Sequence, residues 1–334
     1  MTENRQVIIA SLPQESLGVS DFEVRSVPLA QPGEGELLCE TVALTVGAGQ
    51  RAGLQGSASY AGAPRTGIVM GGTGVARVKE SRAPGFSAGD LVVGPTGWQE
   101  YPCGPAKGWQ IVDDELDPAH HLGVLGTNGL TAYFGLLEIG KPAAGETVVV
   151  SAGAGSVGHL VGQIARIRGS RVVGVTGSSA KCDLLVDELG FDAAVNYKES
   201  NFRDLFKSAT PDRIDVYFDN TGGDILGSAL FRMNAHGRIV CCGAVSQYDT
   251  KNPGAGPRGV PGLLVNNRVR MEGFLIFDYA SRFDVGRRQL RDWLKTGELV
   301  EKRTEFSGLG HAPEAFVALL SGRTTGTTIV RVSE

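Results

Sequence analysis

Hydrophobic residues follow two different rhythms along this chain. Before about residue 123 they come in short runs, at 36–42, 74–78 and 90–94, set apart by glycine- and proline-rich turns at 31–35 and 83–89. That spacing predicts short strands and little helix. A helical stretch from about 122 to 137 leads into the second half. From Glu146 onward, unbroken apolar runs alternate with amphipathic segments. The alternation predicts strands at 147–151, 171–176, 193–197, 214–219, 237–243 and 271–277, with helices at 159–167, 181–189, 201–208 and 224–234 among them. A Gly/Pro-rich loop at 250–262 and a short helix precede the last of these strands, and a polar-faced helix at 281–299 closes the half. Strands apolar on both faces belong to a parallel sheet covered by helices on both sides, joined by right-handed crossovers. The tail holds a helix near 312–321 and a strand at 327–332 whose alternation suits an antiparallel sheet, so it is expected to return to the first half. The expected fold class is α/β, with a mostly β, partly open barrel domain over 1–123 and 307–334 and a doubly wound parallel-sheet domain over 124–306.

The run Val148-Val149-Val150 ends in Ser151-Ala152-Gly153-Ala154-Gly155-Ser156-Val157-Gly158, and an amphipathic helix opens directly from that turn. Gly153, Gly155 and Gly158 have the spacing G-x-G-x-x-G between a strand and a helix, inside a β-α-β unit completed by residues 171–176. This is the fingerprint of a dinucleotide-binding Rossmann domain. The first glycine is expected to permit the turn, the second to let backbone N–H groups approach a pyrophosphate, and the third to let helix and strand pack closely. The free N–H groups and positive dipole end of the helix then face the phosphates. An NAD-selective site places Asp or Glu about 20 residues beyond the turn, on the ribose 2′-hydroxyl. Here Thr176-Gly177-Ser178-Ser179 offers no acid and Lys181 follows, which favours the 2′-phosphate of NADPH. Ser178 and Ser179 also suit a helix cap, and both roles are compatible.

Composition narrows the function further. The chain has 334 residues, 42% hydrophobic and 20% charged, with a net charge of −4 that gives no reason to expect nucleic acid or an anionic membrane as partner. No apolar stretch approaches the ~18 residues of a membrane span, and the first ten residues lack a signal-peptide core, so a cytoplasmic protein is expected. Cys39, Cys103, Cys182, Cys241 and Cys242 form no C-x-x-C and read as free thiols. His120, His121, His159, His236 and His311 form no ligand set with them, so no metal is expected.

Further stretches carry a resemblance. They include Ser59-Tyr60, Gly67-Ile68-Val69-Met70, Gly97-Trp98-Gln99-Glu100-Tyr101, Gly129-Leu130-Thr131-Ala132-Tyr133-Phe134-Gly135, Asn196-Tyr197-Lys198, Phe218-Asp219-Asn220-Thr221-Gly222-Gly223 and Arg270-Met271-Glu272-Gly273-Phe274. With the glycine turn, these make the chain resemble, over nearly its whole length, the zinc-free medium-chain dehydrogenase/reductases. The similarity is to their branch of prostaglandin reductases, curcumin reductase and alkenal double-bond reductases. The resemblance implies a GroES-like first domain and NADPH-dependent reduction of the C=C bond of an α,β-unsaturated ketone or aldehyde. By the same resemblance, Gly155, Ser156, Val157 and Gly158 would cradle the pyrophosphate, and Ser178, Lys181 and Tyr197 would hold the 2′-phosphate. Asn220 would contact the cofactor at a strand end, Cys242, Gly243, Ser246 and Tyr248 would line the dinucleotide crevice, and the backbone of Phe274, Leu275 and Ile276 would meet the carboxamide. Tyr60 would donate a hydrogen bond to the substrate oxygen.

The chain departs from the family pattern at Gly47-Ala48, Thr127-Asn128, Asn266 and Thr324. Asn128, polar where relatives are apolar, is expected to supply a second hydrogen bond to the substrate. A quinone or carbonyl reductase would share the same cofactor half, and so would a nucleotide-binding protein without turnover. Residues 274–277, read as the last sheet strand, would leave an apolar edge that a twin could cover, so a homodimer is expected.

Overall fold

The computed structural model describes residues 3–56, 63–252, 254 and 256–333. The chain forms two units, Met1–Gly123 with Arg303–Glu334, and Val124–Lys302. In the first, β1 (Glu3–Ile9) pairs antiparallel with β2 (Phe22–Pro28). After them come β3 (Glu36–Val46), α1 (Ala48–Gln55), β4 (Gly74–Ser81), β5 (Leu91–Gly94), β6 (Cys103–Pro105) and β7 (Gln110–Ile111).

The second unit begins with α2 (Thr127–Phe134), prolonged by a π-helical turn at Gly135–Gly140. Strands and helices then alternate: β8 (Thr147–Ser151), α3 (Gly158–Ile167), β9 (Arg171–Thr176), α4 (Ser179–Asp183), β10 (Ala193–Asn196), α5 (Phe202–Ala209), β11 (Ile214–Asp219), α6 (Gly223–Leu230), β12 (Met233–Cys241), α7 (Val260–Asn267), β13 (Arg270–Gly273) and α8 (Phe283–Thr296). The tail adds β14 (Arg303–Ser307), α9 (Ala312–Leu320) and β15 (Thr327–Arg331).

Strands β8 to β13 form one parallel sheet in the order β10-β9-β8-β11-β12-β13. That is the doubly wound topology of a Rossmann fold, with its switch point between β8 and β11. Val148, Val149 and Val150 are all fully buried, as a central strand covered on both faces requires. In the first unit, β14, β15, β3, β4, β5 and β7 are hydrogen-bonded in that order, and β6 pairs with β3. β15 returns antiparallel to β3 as its alternation suggested. Asp117 helps fix the tail there, accepting from Arg331 at 2.8 and 2.9 Å and from Arg303 at 2.8 Å. Burial pushes the Asp117 carboxyl up, but the two guanidiniums outweigh it and hold the group well below the usual carboxylate range.

Several boundaries differ from the sequence reading. The helix expected to reach residue 234 stops at Leu230, because β12 starts at Met233, paired with Ile214. The Arg213 guanidinium fixes that turn by donating to the carbonyls of Phe231 and Met233 at 3.2 and 3.0 Å. The strand expected over 271–277 is only β13, Arg270–Gly273, and a 3-10 helix covers Ile276–Arg282. Asp278 accounts for this: its carboxylate accepts from Leu275 N at 3.2 Å and caps the helix. The apolar edge strand is therefore corrected. The sheet edge is the exposed, largely polar Arg270–Gly273, and of the apolar residues beyond it Leu275 and Phe277 are exposed while Ile276 is buried.

Candidate functional site at the carboxyl ends of the parallel strands

The turn after β8 is tighter than its glycines alone imply. The left-handed conformation falls on Ala152, with φ 48°, and not on any of the three motif glycines. Gly153 is glycine for closeness instead: a Cβ there would lie 3.0 Å from Leu185 Cδ1 and 3.2 Å from Gly174 Cα on β9. The expectation that the first glycine permits the turn is thus corrected. Gly155 donates its N–H to Ala152 O at 2.8 Å, and a Cβ on it would stand 3.1 Å from that oxygen. Gly158 begins α3, and a Cβ on it would press into the Ala152 carbonyl, 2.9 Å from its carbon and 3.0 Å from Gly153 Cα. The third glycine serves close packing, as read. At the start of α3 the N–H groups of His159, Leu160 and Val161 donate to Gly155 O and Val157 O, which leaves the preceding Ser156–Gly158 backbone and the positive end of the helix dipole toward the turn. A phosphate fits such a cradle on charge and on donors.

His159, which the sequence reading set aside as a metal ligand, braces the turn from behind. It is fully buried. The N–H of Lys302 can only donate, so at 3.2 Å Nε2 must accept, and Nδ1 carries the proton to Gly155 O at 2.7 Å. The ring is therefore neutral, and burial pushes its pKa below the usual histidine value against the opposing pull of Gly155 O and Glu301. Below about pH 6.5 the unfolded chain takes up a proton that the folded ring refuses, so the fold loses stability as pH falls, and above it the contribution is constant. Melting temperatures of wild type and His159→Gln between pH 7 and 5 should diverge, with the wild type falling more steeply. Parallel curves would show that His159 does not titrate in this way.

At the end of β9, Ser178 Oγ accepts from Lys181 N at 3.3 Å and caps α4, so the capping role expected of it is present. Lys181 is half-buried, and burial and then the nearby Lys198 lower its pKa. Tyr197 is exposed and lies beside the end of β9, its N–H donating to Thr176 O at 2.9 Å. Ser178, Lys181 and Tyr197 thus lie near one another at the end of β9. Lys198 joins them, and only the parallel register of β9 and β10 reveals it.

At the switch point one carboxylate organises the loops. Asp219 Oδ1 accepts from Gly222 N at 2.9 Å, Thr221 N at 3.1 Å, and the Tyr217 and Ser151 hydroxyls at 3.2 Å. Burial raises its pKa, and those donors pull it back down. Ser151 Oγ accepts from Asn220 N at 2.9 Å, while Asn220 Nδ2 donates to Ser151 O at 2.8 Å. The loop after β12 folds onto the same place. Cys242 N and Gly243 N donate to Asp219 O at 2.9 and 3.1 Å, Ser246 Oγ to Thr221 O at 2.5 Å, and Ala244 N to Tyr248 Oη at 3.1 Å. Asn220, Cys242, Gly243, Ser246 and Tyr248 are therefore one cluster. Burial, with Asp219 nearby, pushes the Cys242 thiol up to about 12, which leaves it protonated and unsuited to nucleophilic chemistry.

Phe274 and Leu275 link β13 to the 3-10 helix, which Ile276 opens. Asn128 sits half-buried in the first turn of α2. Tyr60 lies outside the described residues. Among the described residues, no three His, Cys, Asp or Glu side chains gather as a metal would need.

Two family models match the chain, an N-terminal domain of oxidoreductase over residues 5–112 and a zinc-binding dehydrogenase over residues 156–287. The chain is 37% identical to an NADPH-dependent curcumin reductase of Escherichia coli (strain K12), covering 99% of this chain and 97% of that one. It is 39% identical to an NADP-dependent 2-alkenal reductase of Nicotiana tabacum, covering 99% and 98%. The chain belongs to the medium-chain dehydrogenase/reductases. Within that family its fold is similar to CurA of Vibrio vulnificus in complex with NADPH, at a TM-score of 0.94 and 34% identity over 99% of both chains.

Proposed function

We propose that the protein reduces the C=C bond of α,β-unsaturated ketones or aldehydes with NADPH. One observation carries the reading. A glycine turn at the sheet's switch point has, at the end of the next strand, a lysine and hydroxyls where an NAD-selective site has a carboxylate. The relatives named for alkenal and curcumin reduction supply the substrate class.

When bound, NADPH supplies the hydride, delivered to the substrate's β-carbon. The chain's own residues bind, orient and stabilise charge. Gly155, Ser156, Val157 and Gly158 would cradle the pyrophosphate, Gly155 by its missing side chain and the other three by backbone N–H groups, and Lys181, Tyr197 and Ser178 would hold the 2′-phosphate. Asn220, held by Ser151, would meet the cofactor at the end of β11, alongside Cys242, Gly243, Ser246 and Tyr248, with the Phe274–Ile276 backbone reserved for the carboxamide. As hydride arrives, negative charge collects on the substrate's carbonyl oxygen, and a placed donor there lowers the barrier. Tyr60 is that donor in this reading, and Asn128 the second. Replacing Asn128 with alanine should lower kcat/KM on enones about tenfold, the worth of one such hydrogen bond. An unchanged value on every accepted enone would remove Asn128 from the site.

The deciding experiment is a turnover panel of enones, quinones and simple ketones, with NADPH and NADH in parallel and product analysis. Saturated ketones formed with NADPH are expected. Hydroquinones or alcohols would redirect the assignment to a quinone or carbonyl reductase, and NADPH binding without turnover would make the protein a nucleotide-binding one.

The same reading makes the protein a cytoplasmic homodimer. In support, all five cysteines are free and, among the described residues, no helix is long and apolar enough to cross a membrane. The β13 edge leaves a row of backbone groups open beside the exposed Val265 and Phe277. Sedimentation as a monomer at micromolar concentration would rule out the dimer.

A further inference from the structure

Beside β9 the sheet register builds a compact cationic corner. Asn196 of β10 is level with Thr176 of β9, so Tyr197 and Lys198 pass alongside Gly177 and Ser178. A Cβ placed on Gly177 would lie 3.1 Å from Tyr197 Cε1, 3.4 Å from the Tyr197 hydroxyl and 3.5 Å from Lys198 Cε. The far ends of both side chains thus close over the bare backbone of one glycine. Lys198 Nζ stands 6.0 Å from the Tyr197 ring centroid. From α4, Lys181 approaches near enough for the two ammonium groups to feel each other's charge. Glu199, next in sequence, accepts at Oε1 from Asn196 Nδ2 at 2.9 Å. The two ammonium groups repel each other, and an anion between them, with the Tyr197 hydroxyl as a further donor, would relieve that repulsion.

We propose that Lys198 is a second cation for the 2′-phosphate of NADPH and sets coenzyme preference together with Lys181, and that Gly177 lacks a side chain to leave room for this grip. The assignment rests on the reading of the site as NADPH-binding. A dianion needs two charges to balance it, and Lys181 supplies one. Lys198 reaches from the opposite strand, so the phosphate is held from two sides and its position is fixed as well as its charge. A flexible, exposed lysine contributes less than a buried one, so its share is a specificity factor and not the whole of binding.

Calorimetric titration of the intact protein with adenosine 2′,5′-bisphosphate and with adenosine 5′-monophosphate separates the 2′-phosphate from the rest of the nucleotide and needs no turnover. The ratio of the two affinities should fall roughly tenfold in Lys198→Gln, the worth of one charge-assisted hydrogen bond. Lys198→Arg should keep most of the ratio, and the preference lost in Lys198→Gln should be the part of it that salt screens in the wild type. Gly177→Ala leaves both charges in place and should lower the same ratio several-fold by crowding Tyr197 and Lys198. An unchanged ratio there overturns the role given to Gly177. If the wild type prefers the bisphosphate and Lys181→Gln abolishes the preference while Lys198→Gln stays within about twofold, the Lys198 assignment alone fails. If the wild type shows no preference, the NADPH reading itself is wrong and the assignment falls with it.

Discussion

Gly158→Ala is expected to weaken NADPH binding by about a hundredfold and to destabilise the fold by about 3 kcal/mol. The added methyl would meet backbone: the Ala152 carbonyl, with its carbon at 2.9 Å, and Gly153 Cα at 3.0 Å. A flexible side chain could swing aside, but here either α3 or the turn must move. Ala152 is already held at φ 48°, where an L-residue costs about 1–2 kcal/mol, so the turn has little slack. Moving α3 would instead disturb the buried His159 bridge between Gly155 O and Lys302 N. Either shift spoils the N–H geometry that a pyrophosphate needs. Gly155→Ala makes the informative contrast. Its methyl would stand 3.1 Å from Ala152 O, a mild crowding expected to cost about 1 kcal/mol of stability while still obstructing the coenzyme. Urea unfolding followed by fluorescence of the three tryptophans, beside NADPH titration, gives both numbers for each variant. Wild-type NADPH affinity in Gly158→Ala would show that the turn does not carry the coenzyme.

How much of this was legible in the chain depends on whether burial imposed a pattern. β8, β9 and β11 were plain because they are covered on both faces and must be apolar throughout. β2 was not read as a strand, since every position from Glu23 to Ser26 is exposed and no alternation marks it. β14, Arg-Thr-Glu-Phe-Ser, is silent because it has a single apolar residue and no fully buried position. β12 was read four residues short at its start because Met233 is buried while Ala235 and His236 are exposed. Residues 274–277 misled in the other direction. They are apolar enough for a strand, but the carboxylate of Asp278 caps a helix there, and propensity gave way to a local hydrogen bond. In the site, the three glycines announced themselves by spacing. The left-handed residue of the same turn carries no signal, because nothing about an alanine says that its φ is positive. Lys198 belongs to a motif whose neighbours were assigned roles, but its direction depends on strand register. Asp219 shows the limit most clearly: its neighbours in sequence were legible, and its partners across the sheet were not.

Asp219→Ala is therefore expected to be the more damaging of the site's side-chain truncations, costing about 3–5 kcal/mol. Five donors converge on its Oδ1: the N–H groups of Thr221 and Gly222 and the hydroxyls of Tyr217, Ser151 and Thr221. Tyr217 is fully buried, so removing the acceptor strands its hydroxyl away from water, and the Ser151 hydroxyl keeps only the longer bond to Phe218 O at 3.4 Å. The loss then travels to the coenzyme side. Ser151 Oγ, left with Phe218 O alone, is held less firmly in the orientation that accepts the N–H of Asn220, and the Thr221-Gly222 turn that receives Ser246 loses its anchor. Asp219→Asn distinguishes charge from shape. Burial already raises the carboxyl's pKa, so the negative charge is a burden on the fold, whereas the acceptor oxygen is needed. The amide keeps an oxygen for the N–H groups of Thr221 and Gly222, so Asp219→Asn should lose only about 1–2 kcal/mol and keep most NADPH affinity. Should Asn prove as damaging as Ala, the charge itself and not the acceptor would be what these loops require. Should Ala leave both the melting temperature and NADPH titration unchanged, Asp219 would not be the organiser of the switch point.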